Sequence, residues 1–202
     1  MRTGYDPKLG KIKTDVPGIL VDRAFLAHFQ VAAALATVAS ATGIHAAIAC
    51  SAGATTVVTT AITNPSVPRG VTATAGGTAG DIKAVQVTIT GTNYADEVIT
   101  EVLPVFTVDT AGTVTGNKAF KTITSISIPA MDGAGATVAI GFSEKLGLPY
   151  KLALNTVLAT YFDSAIEGTA PTVTVSSTDI DGNTFDLNTA LNGKVIDVYL
   201  LV

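Results

Sequence analysis

Three oxygen-bearing side chains crowd into one short segment near residue 180. Asp179, Asp181 and Asn183 alternate around Gly182, and carboxylate and amide oxygens are the ligands that Ca²⁺ prefers. The order departs from the EF-hand pattern, because Gly182 comes too early and no Glu closes the loop. A turn stabilised by Asx side chains explains the same residues without a metal. The segment therefore predicts a turn, with calcium binding as the alternative.

The other cofactor and metal patterns fail on spacing. Three residues separate Gly112 from Gly116, Asn117 stands before Lys118, and Ala119 follows it. A phosphate-binding loop needs four residues between its glycines, then Lys directly, then Ser or Thr, so this segment does not fit. His45 and Cys50 could both bind Zn²⁺, yet two ligands do not make a zinc site. We therefore expect no cofactor.

Catalytic arrangements are equally sparse. The chain has no G-x-S-x-G nucleophile elbow, and both of its histidines, His28 and His45, lie in an alanine-rich stretch. Asp163 and Glu167 are close in sequence but fall in a predicted loop. Paired carboxylates for glycoside hydrolysis remain open, because the fold rather than the spacing creates such a pair. We expect a protein that is not an enzyme.

The composition indicates a chain that buries surface in a core, a membrane or other subunits. Charged residues make up 14% of the 202, against ~25% in average soluble proteins, and the mean hydropathy is +0.47. Disorder requires the opposite balance, and a disulfide scaffold requires more than the single Cys50. The net charge of −4 opposes nucleic-acid binding, which needs an excess of cations.

Short β-strands are the elements that this sequence predicts. The chain holds 31 threonines, which together with Val and Ile suit a pleated, half-buried surface. Val85, Val87 and Ile89 alternate with polar residues, as a strand with one buried face requires. The apolar phase shifts between Ile123 and Ile126, which predicts a β-bulge. The fold class predicted is mainly β, an antiparallel β-sandwich of short strands.

Two dipeptides and the final segment predict how the strands connect. Asp132-Gly133 and Asn192-Gly193 are typical of tight hairpins, because such residues tolerate positive φ. Val195 to Val202 is apolar on both faces apart from Asp197. A strand of that kind should be central in a sheet or covered by a neighbour.

The N-terminal third predicts an arm and then a helix. Residues 1–21 are polar and punctuated by Pro and Gly, with a formal charge of +2, and we expect an extended arm rather than a signal peptide. In residues 22–68, Asp22 can act as an N-cap. Apolar residues then recur at helical spacing from Phe25 to Ala36, which predicts one short helix that ends at Gly43 and is followed by strands. Residues 69–202 form the sandwich body.

The stretch from Ala24 to Ala49 also raises the question of a membrane span. Spanning helices need ~20 consecutive, predominantly apolar residues. His28, Gln30 and His45 interrupt this stretch, and its apolar content is mostly alanine. We therefore expect no membrane association.

Six stretches resemble a family of tailed-bacteriophage and prophage structural proteins, chiefly from Gram-positive hosts. They are Thr72–Ile82, Gln86–Asn93, Ile99–Phe106, Ala111–Thr122, Lys145–Pro149 and Leu191–Val195. The resemblance covers roughly Val71 to Val202. The family looks like head-associated proteins of the decoration or cement kind, and the resemblance implies no catalytic residues.

The resemblance implies a role on the outside of a phage head. Such a protein binds and reinforces the lattice of the major capsid protein as a homo-oligomer on the particle. Its place is the capsid surface of the virion, assembled in the cytoplasm of the bacterial host. Few charges and many threonines agree with this, because they lower the desolvation cost of packing against other subunits. We expect the partner to be bound by basic and aromatic residues near the N-terminus: Arg2, Lys8, Lys11, Lys13, Phe25 and Phe29.

Two alternatives of different kinds stay open. One is another virion part: a tail-tube, head–tail connector or head-fibre subunit. The other is an adhesin module that binds carbohydrate. The low aromatic content of 6% and the absence of an evident signal peptide oppose the adhesin.

Overall fold

The computed structural model describes residues 12–13, 17, 20–21 and 24–202, and these residues form a mainly β, antiparallel structure. The predicted fold class is thereby confirmed. The strands are β1 (Ile12–Lys13), β2 (Leu20–Val21), β3 (Leu26–Val31), β4 (Ser40–Ala49), β5 (Thr56–Val58), β6 (Arg69–Gly77), β7 (Thr88–Thr92), β8 (Val98–Val102), β9 (Gly112–Phe120), β10 (Thr122–Ile128), β11 (Ala136–Gly147), β12 (Val157–Phe162), β13 (Ala165–Ile166), β14 (Thr172–Thr174), β15 (Thr184–Asp186) and β16 (Ile196–Leu201). Two 3-10 turns, η1 (Ala79–Asp81) and η2 (Ile180–Gly182), complete the elements.

Three sheets make up the body. The outer sheet has the order β5-β10-β7-β8. The central sheet has the order β14-β15-β11-β6-β9, and β4 also pairs with β11. The terminal sheet has the order β13-β12-β16-β3, and in it β3 (Leu26–Val31) pairs with the final strand, β16. Strands from residues 24–68 therefore enter all three sheets beside strands of residues 69–202.

The first core fills the space between the outer and central sheets. Ile89 and Ile126 enter it from the outer sheet, while Val71, Ala73 and Ile140 enter it from the central sheet, and all five are fully buried. Burial of each large side chain contributes ~1.5–3 kcal/mol before entropy is counted. Strand alternation places Thr72 and Thr74 on the opposite face of the central sheet.

A second core lies between the far end of the central sheet and the terminal sheet. Leu146 and Phe185 meet Val31, Val198 and Leu200 there. The long strand β11 serves both cores, because its register against β6 shifts between Phe142 and Leu146. Residues before the shift face the first core and residues after it face the second.

The predicted N-terminal helix is wrong, because its residues form strand β3. Ala27, Phe29 and Val31 turn inward, and the residues between them are exposed. β3 pairs with β16 from Leu26↔Leu201 to Val31↔Ile196. Helix propensity is a weak preference that tertiary context overrides, and here a complete strand ladder with a buried face outweighs it. Gly43, predicted to end the helix, lies within β4 beneath the ring of Phe142.

Both predicted hairpins are wrong as hairpins. Asp132-Gly133 connects β10 of the outer sheet to β11 of the central sheet, and Asn192-Gly193 connects β15 to β16 across two sheets. Positive φ is nevertheless present at Gly193, at +78°. Its N–H donates to the carbonyl of Ala36 at 2.9 Å. The dipeptide therefore makes a sharp turn that links sheets.

The bulge and the place of the final strand are confirmed. The pairing of β10 with β7 shifts register between Ile123 and Ser125. β16 lies between β12 and β3 in the terminal sheet, with Ile196, Val198 and Leu200 fully buried. Of the predicted arm, only β1 and β2 are described in pairing, with Ile12 opposite Val21. The rest of that prediction lies outside the described residues.

Candidate functional site

Among the residues that the structure describes, the outward face of the outer sheet carries no charged side chain. Ile89 of β7 faces the core, so Thr88 and Thr90 must face outward, and the register across the sheet extends this face to every strand. We call it the neutral face, and its residues are Val57, Thr88, Thr90, Thr92, Val98, Thr100, Val102, Thr122, Ser125 and Ser127. A partner could cover all of them without burying an ion.

Cross-strand threonine pairs satisfy some hydroxyls of the neutral face internally. Thr92 Oγ1 and Thr122 Oγ1 lie 2.7 Å apart. Thr90 Oγ1 lies 3.4 Å from Thr100 Oγ1. A polar group that is already hydrogen-bonded costs less to bury than a free one. The neutral face is therefore polar in composition but inexpensive to desolvate.

Valines stand on both edge strands of the neutral face. Val57 on β5 is 60% exposed, while Val98 and Val102 on β8 are 77% and 56% exposed. Edge strands also present unpaired backbone N–H and C=O groups, which can pair with another chain. Apolar contact and strand pairing are thus both open to a partner here.

The neutral face is small for a stable interface. Four strands about 4.8 Å apart and at most five residues of about 3.4 Å each give a flat footprint of no more than roughly 320 Å². Stable protein–protein interfaces bury about 800 Å² per partner. One neutral face alone therefore supports a weak contact that needs a second attachment or many copies.

Glu101 keeps the one charge of β8 off the neutral face. Its carboxylate turns inward and accepts the N–H groups of Asn117 at 2.5 Å and Lys118 at 3.2 Å. These two donors lie where β9 shifts register against β6 and leaves them without a strand partner. Burial raises the pKa of Glu101, and the two backbone hydrogen bonds act against that rise. The carboxylate joins the outer sheet to the edge of the central sheet.

The residues predicted to bind a partner are only partly described. Arg2, Lys8 and Lys11 lie outside the described residues, and Lys13 lies in β1, with its side chain undescribed. Phe25 is 54% exposed and pairs through its backbone with Val202 at 2.9 Å. It remains accessible to a partner.

Phe29 belongs mainly to the second core. Its ring packs edge-to-face against Tyr94 at 6.3 Å and Phe185 at 6.4 Å between centroids. The side chain is half-buried in the folded chain. It can offer a partner much less surface than Phe25.

The calcium candidates are engaged with their own chain. The amide of Asn183 is fully buried, accepts N–H groups from Leu152 at 3.1 Å and Ser176 at 2.9 Å, and donates to the carbonyls of Ser176 and Asp179 at 2.8 Å each. This amide thereby fixes the β14–β15 loop and ties it to the β11–β12 loop. Its carbonyl oxygen, which would be the calcium ligand, already accepts two hydrogen bonds.

Asp181 is also buried, and its carboxylate is compensated by an ion pair. Lys118 Nζ lies 3.0 Å from Asp181 Oδ2, and Asn93 Nδ2 lies 3.4 Å from Oδ1. No hydrogen bond of good geometry from the described residues reaches Oδ2, so the ion pair supplies its compensation. Asp179 Oδ2 accepts the hydroxyl of Thr178 at 2.8 Å. Within the described part of the chain, no three His, Cys, Asp or Glu side chains converge as a metal site.

The side chains of His45 and Cys50 are also engaged with nearby parts of their own chain. His45 Nδ1 lies 2.7 Å from the carbonyl oxygen of Ala46. Cys50 is buried at the first core, and burial raises the pKa of its thiol. A thiol held in its protonated form is a poor nucleophile and a poor metal ligand.

One polar cluster escapes the sequence analysis. His28 Nε2 lies 2.7 Å from Asp197 Oδ1, which also accepts Gln30 Nε2 at 2.7 Å, and the ring of His28 stacks on Tyr199 at 4.7 Å. The assumed helix hid this cross-strand pairing. The alternation of His28 and Gln30 with Phe29 was the signal that could have revealed it. The cluster fastens β3 to β16 on the solvent side.

Comparisons with family models, curated proteins and solved structures find no match to this chain. Among the helices of the described residues, none is both long and apolar enough to cross a bilayer.

Proposed function

We propose that this chain is a non-enzymatic virion structural protein that binds and reinforces the lattice of a phage major capsid protein. The observation that carries the proposal is the neutral face, with its uncharged side chains and exposed valine edges. The resemblance of residues 71–202 to head-associated phage proteins supports it. The low charge content of the whole chain supports it as well.

The small area of the neutral face fits repeated binding on a lattice. A contact of roughly 320 Å² is weak by itself. A second attachment on the same molecule turns the later contact into an intramolecular event and raises the overall affinity. Residues 1–21, with a formal charge of +2, can supply that attachment on acidic surface. Exposed Phe25 adds apolar contact beside it.

The proposal is tested with particles that lack the protein. Heads of a phage that encodes this chain are assembled with its gene deleted, and purified protein is added back. Thr100→Lys places an ammonium group within the neutral face, and we expect occupancy to fall about 10-fold, because that charge must be desolvated or left unpaired. Thr169→Lys makes the same change on an exposed loop and should bind like the natural protein.

Occupancy on the particles decides between the alternatives. Equal occupancy of both variants, with unchanged melting temperatures, would remove the neutral face from the interface. Binding to tails or connectors rather than to heads would instead favour the tail-tube or connector alternative. Weakening of binding by salt would indicate that the basic N-terminal residues take part.

A further inference from the structure

An open cleft of about 520 Å³ lies on the central sheet, on the face turned away from the first core. Its size is within the ~300–1,000 Å³ of small-ligand sites. Thr72, Thr113 and Thr115 form its floor from β6 and β9, and Ser40, Asp186 and Asn188 stand around it. The lining is rich in hydroxyl, carboxylate and amide groups, with alanine and leucine side chains between them.

Thr72 in this floor has an unmet hydrogen-bonding group. The residue is 7% exposed, and no described residue is hydrogen-bonded to its Oγ1. It lies between Gly141 of β11 and Thr115 of β9. Buried hydroxyl groups usually have a partner. A bound molecule with donors and acceptors would supply one.

Asp186 provides a free acceptor on the wall of the cleft. No described residue donates a hydrogen bond to its carboxylate, whereas the neighbouring Glu144 accepts N–H groups from Ala39 at 3.3 Å and Leu191 at 3.0 Å. Partial burial raises the pKa of Asp186, and the charge of Glu144 adds to the rise. Glu144 thus anchors two loops, while Asp186 remains free to accept a hydrogen bond from a ligand.

Two cations balance the two carboxylates. Fully buried Arg69 donates from Nε to the carbonyl of Ser143 at 2.7 Å and lies over the ring of Phe142 at 4.4 Å. Burial lowers the pKa of Arg69 to about 10, so it stays positive at neutral pH. The charge of Lys145 also acts on Asp186 and favours its ionised form. The local formal charge is zero, which favours neither a phosphate-bearing ligand nor a cationic peptide.

We propose that this cleft binds a short neutral saccharide. Sugar hydroxyls both donate and accept hydrogen bonds. They can donate to the carboxylate of Asp186, meet the buried hydroxyl of Thr72, and exchange hydrogen bonds with Thr115 and Asn188. The apolar side chains between these groups can contact the C–H faces of the sugar ring. This inference is independent of capsid binding, which uses the neutral face of a different sheet.

The test is a nuclear magnetic resonance titration of the full-length, ¹⁵N-labelled protein. The probes are neutral trisaccharides built from glucose, N-acetylglucosamine, galactose or mannose. With at least one of them we expect saturable shifts at the amides of Thr72, Thr115, Asp186 and Asn188. Asp186→Ala should weaken that binding about 10-fold or more, because it removes hydrogen bonds to a charged group.

Matched variants separate binding from folding. Thr72→Val removes only the hydroxyl and should weaken binding about 5-fold. Asp163→Ala removes an exposed carboxylate that pairs with Lys194, and should leave the sugar affinity unchanged. If Asp186→Ala gives an unfolded spectrum, Asp186→Asn and Thr72→Val provide the same comparison.

Two results would overturn the assignment to a saccharide. One is that no trisaccharide shifts the amide signals of the cleft residues. The other is that the Asp186 and Thr72 variants bind sugar with the same affinity as the natural protein. Ca²⁺ and a synthetic peptide of residues 1–21 are titrated separately. Cleft shifts with either of these, and none with sugars, would assign the cleft to a cation or to the N-terminal segment of another copy.

Discussion

Replacing Asn183 by Leu should strongly destabilise the protein, because this amide fixes its own β14–β15 loop and ties it to the β11–β12 loop. Leu has a similar size but cannot replace the four backbone hydrogen bonds of the fully buried Asn183 side chain. The N–H of Leu152 would be left buried without a partner at a cost of ~1–3 kcal/mol, and the three part-buried bonds contribute ~0.5–1.5 kcal/mol each. Burial of the apolar Leu side chain offsets some of that loss, so we expect the free energy of unfolding to fall by about 3–5 kcal/mol in total.

Urea unfolding at neutral pH measures this loss. With a slope of about 2 kcal/mol/M, the midpoint should fall by roughly 2 M while the slope stays the same. Asn192→Leu, at an exposed position, is the control and should shift the midpoint very little. A loss below about 0.5 kcal/mol for Asn183→Leu would refute the view that this amide holds the loops together. CaCl₂ should leave the midpoint of the natural protein unchanged, because the amide oxygen is already occupied.

Two further substitutions test the link that Glu101 makes between the outer and central sheets, and the positive-φ turn at Gly193. The raised pKa of Glu101 means that its protonated form is favoured by folding. Its stabilising contribution is therefore present below the ordinary pKa of 4.5 and is lost as pH rises through the higher folded pKa. Glu101→Gln should flatten that part of the pH–stability curve in urea melts, and an unchanged curve would mean that another group is responsible. Gly193→Val should cost about 1–2 kcal/mol in a thermal melt, because φ is +78° there. Gly53→Val, at a position with open space and no positive φ, should cost much less, and equal losses would contradict the strain argument.

The strands were predictable where one face of the chain is clearly apolar. Val87 and Ile89 alternate with polar residues and are fully buried, and the phase shift after Ile123 coincides with a bulge. The segment from Leu26 to Val31 misled because Phe29 fits two periods: it is four residues from Phe25, as in a helix, and two residues from Ala27 and Val31, as in a strand. What decided it was pairing with β16, about 170 residues away, which spacing along the chain cannot reveal.

Local spacing in the sequence likewise could not predict which strands each turn connects or which residues form the cleft. Gly193 has the positive φ that its dipeptide predicts, but the dipeptide does not say which strands it joins. Thr72, Thr115 and Asp186 come from three separate strands and meet only because β6, β9 and β15 share the central sheet. The neutral face could have been read from Thr88, Thr90 and Thr92 alone, since their alternation with Ile89 is local.

The pairing of β3 with β16 has a consequence for synthesis on the ribosome. Leu26 is translated about 175 residues before its partner Leu201. Until then the inward faces of β3 and β12 have no neighbour between them, so the terminal sheet can form only after translation of β16. Nascent chains stalled before residue 196 should therefore expose apolar side chains of this sheet to chaperones, whereas chains extended past residue 202 beyond the exit tunnel should release them.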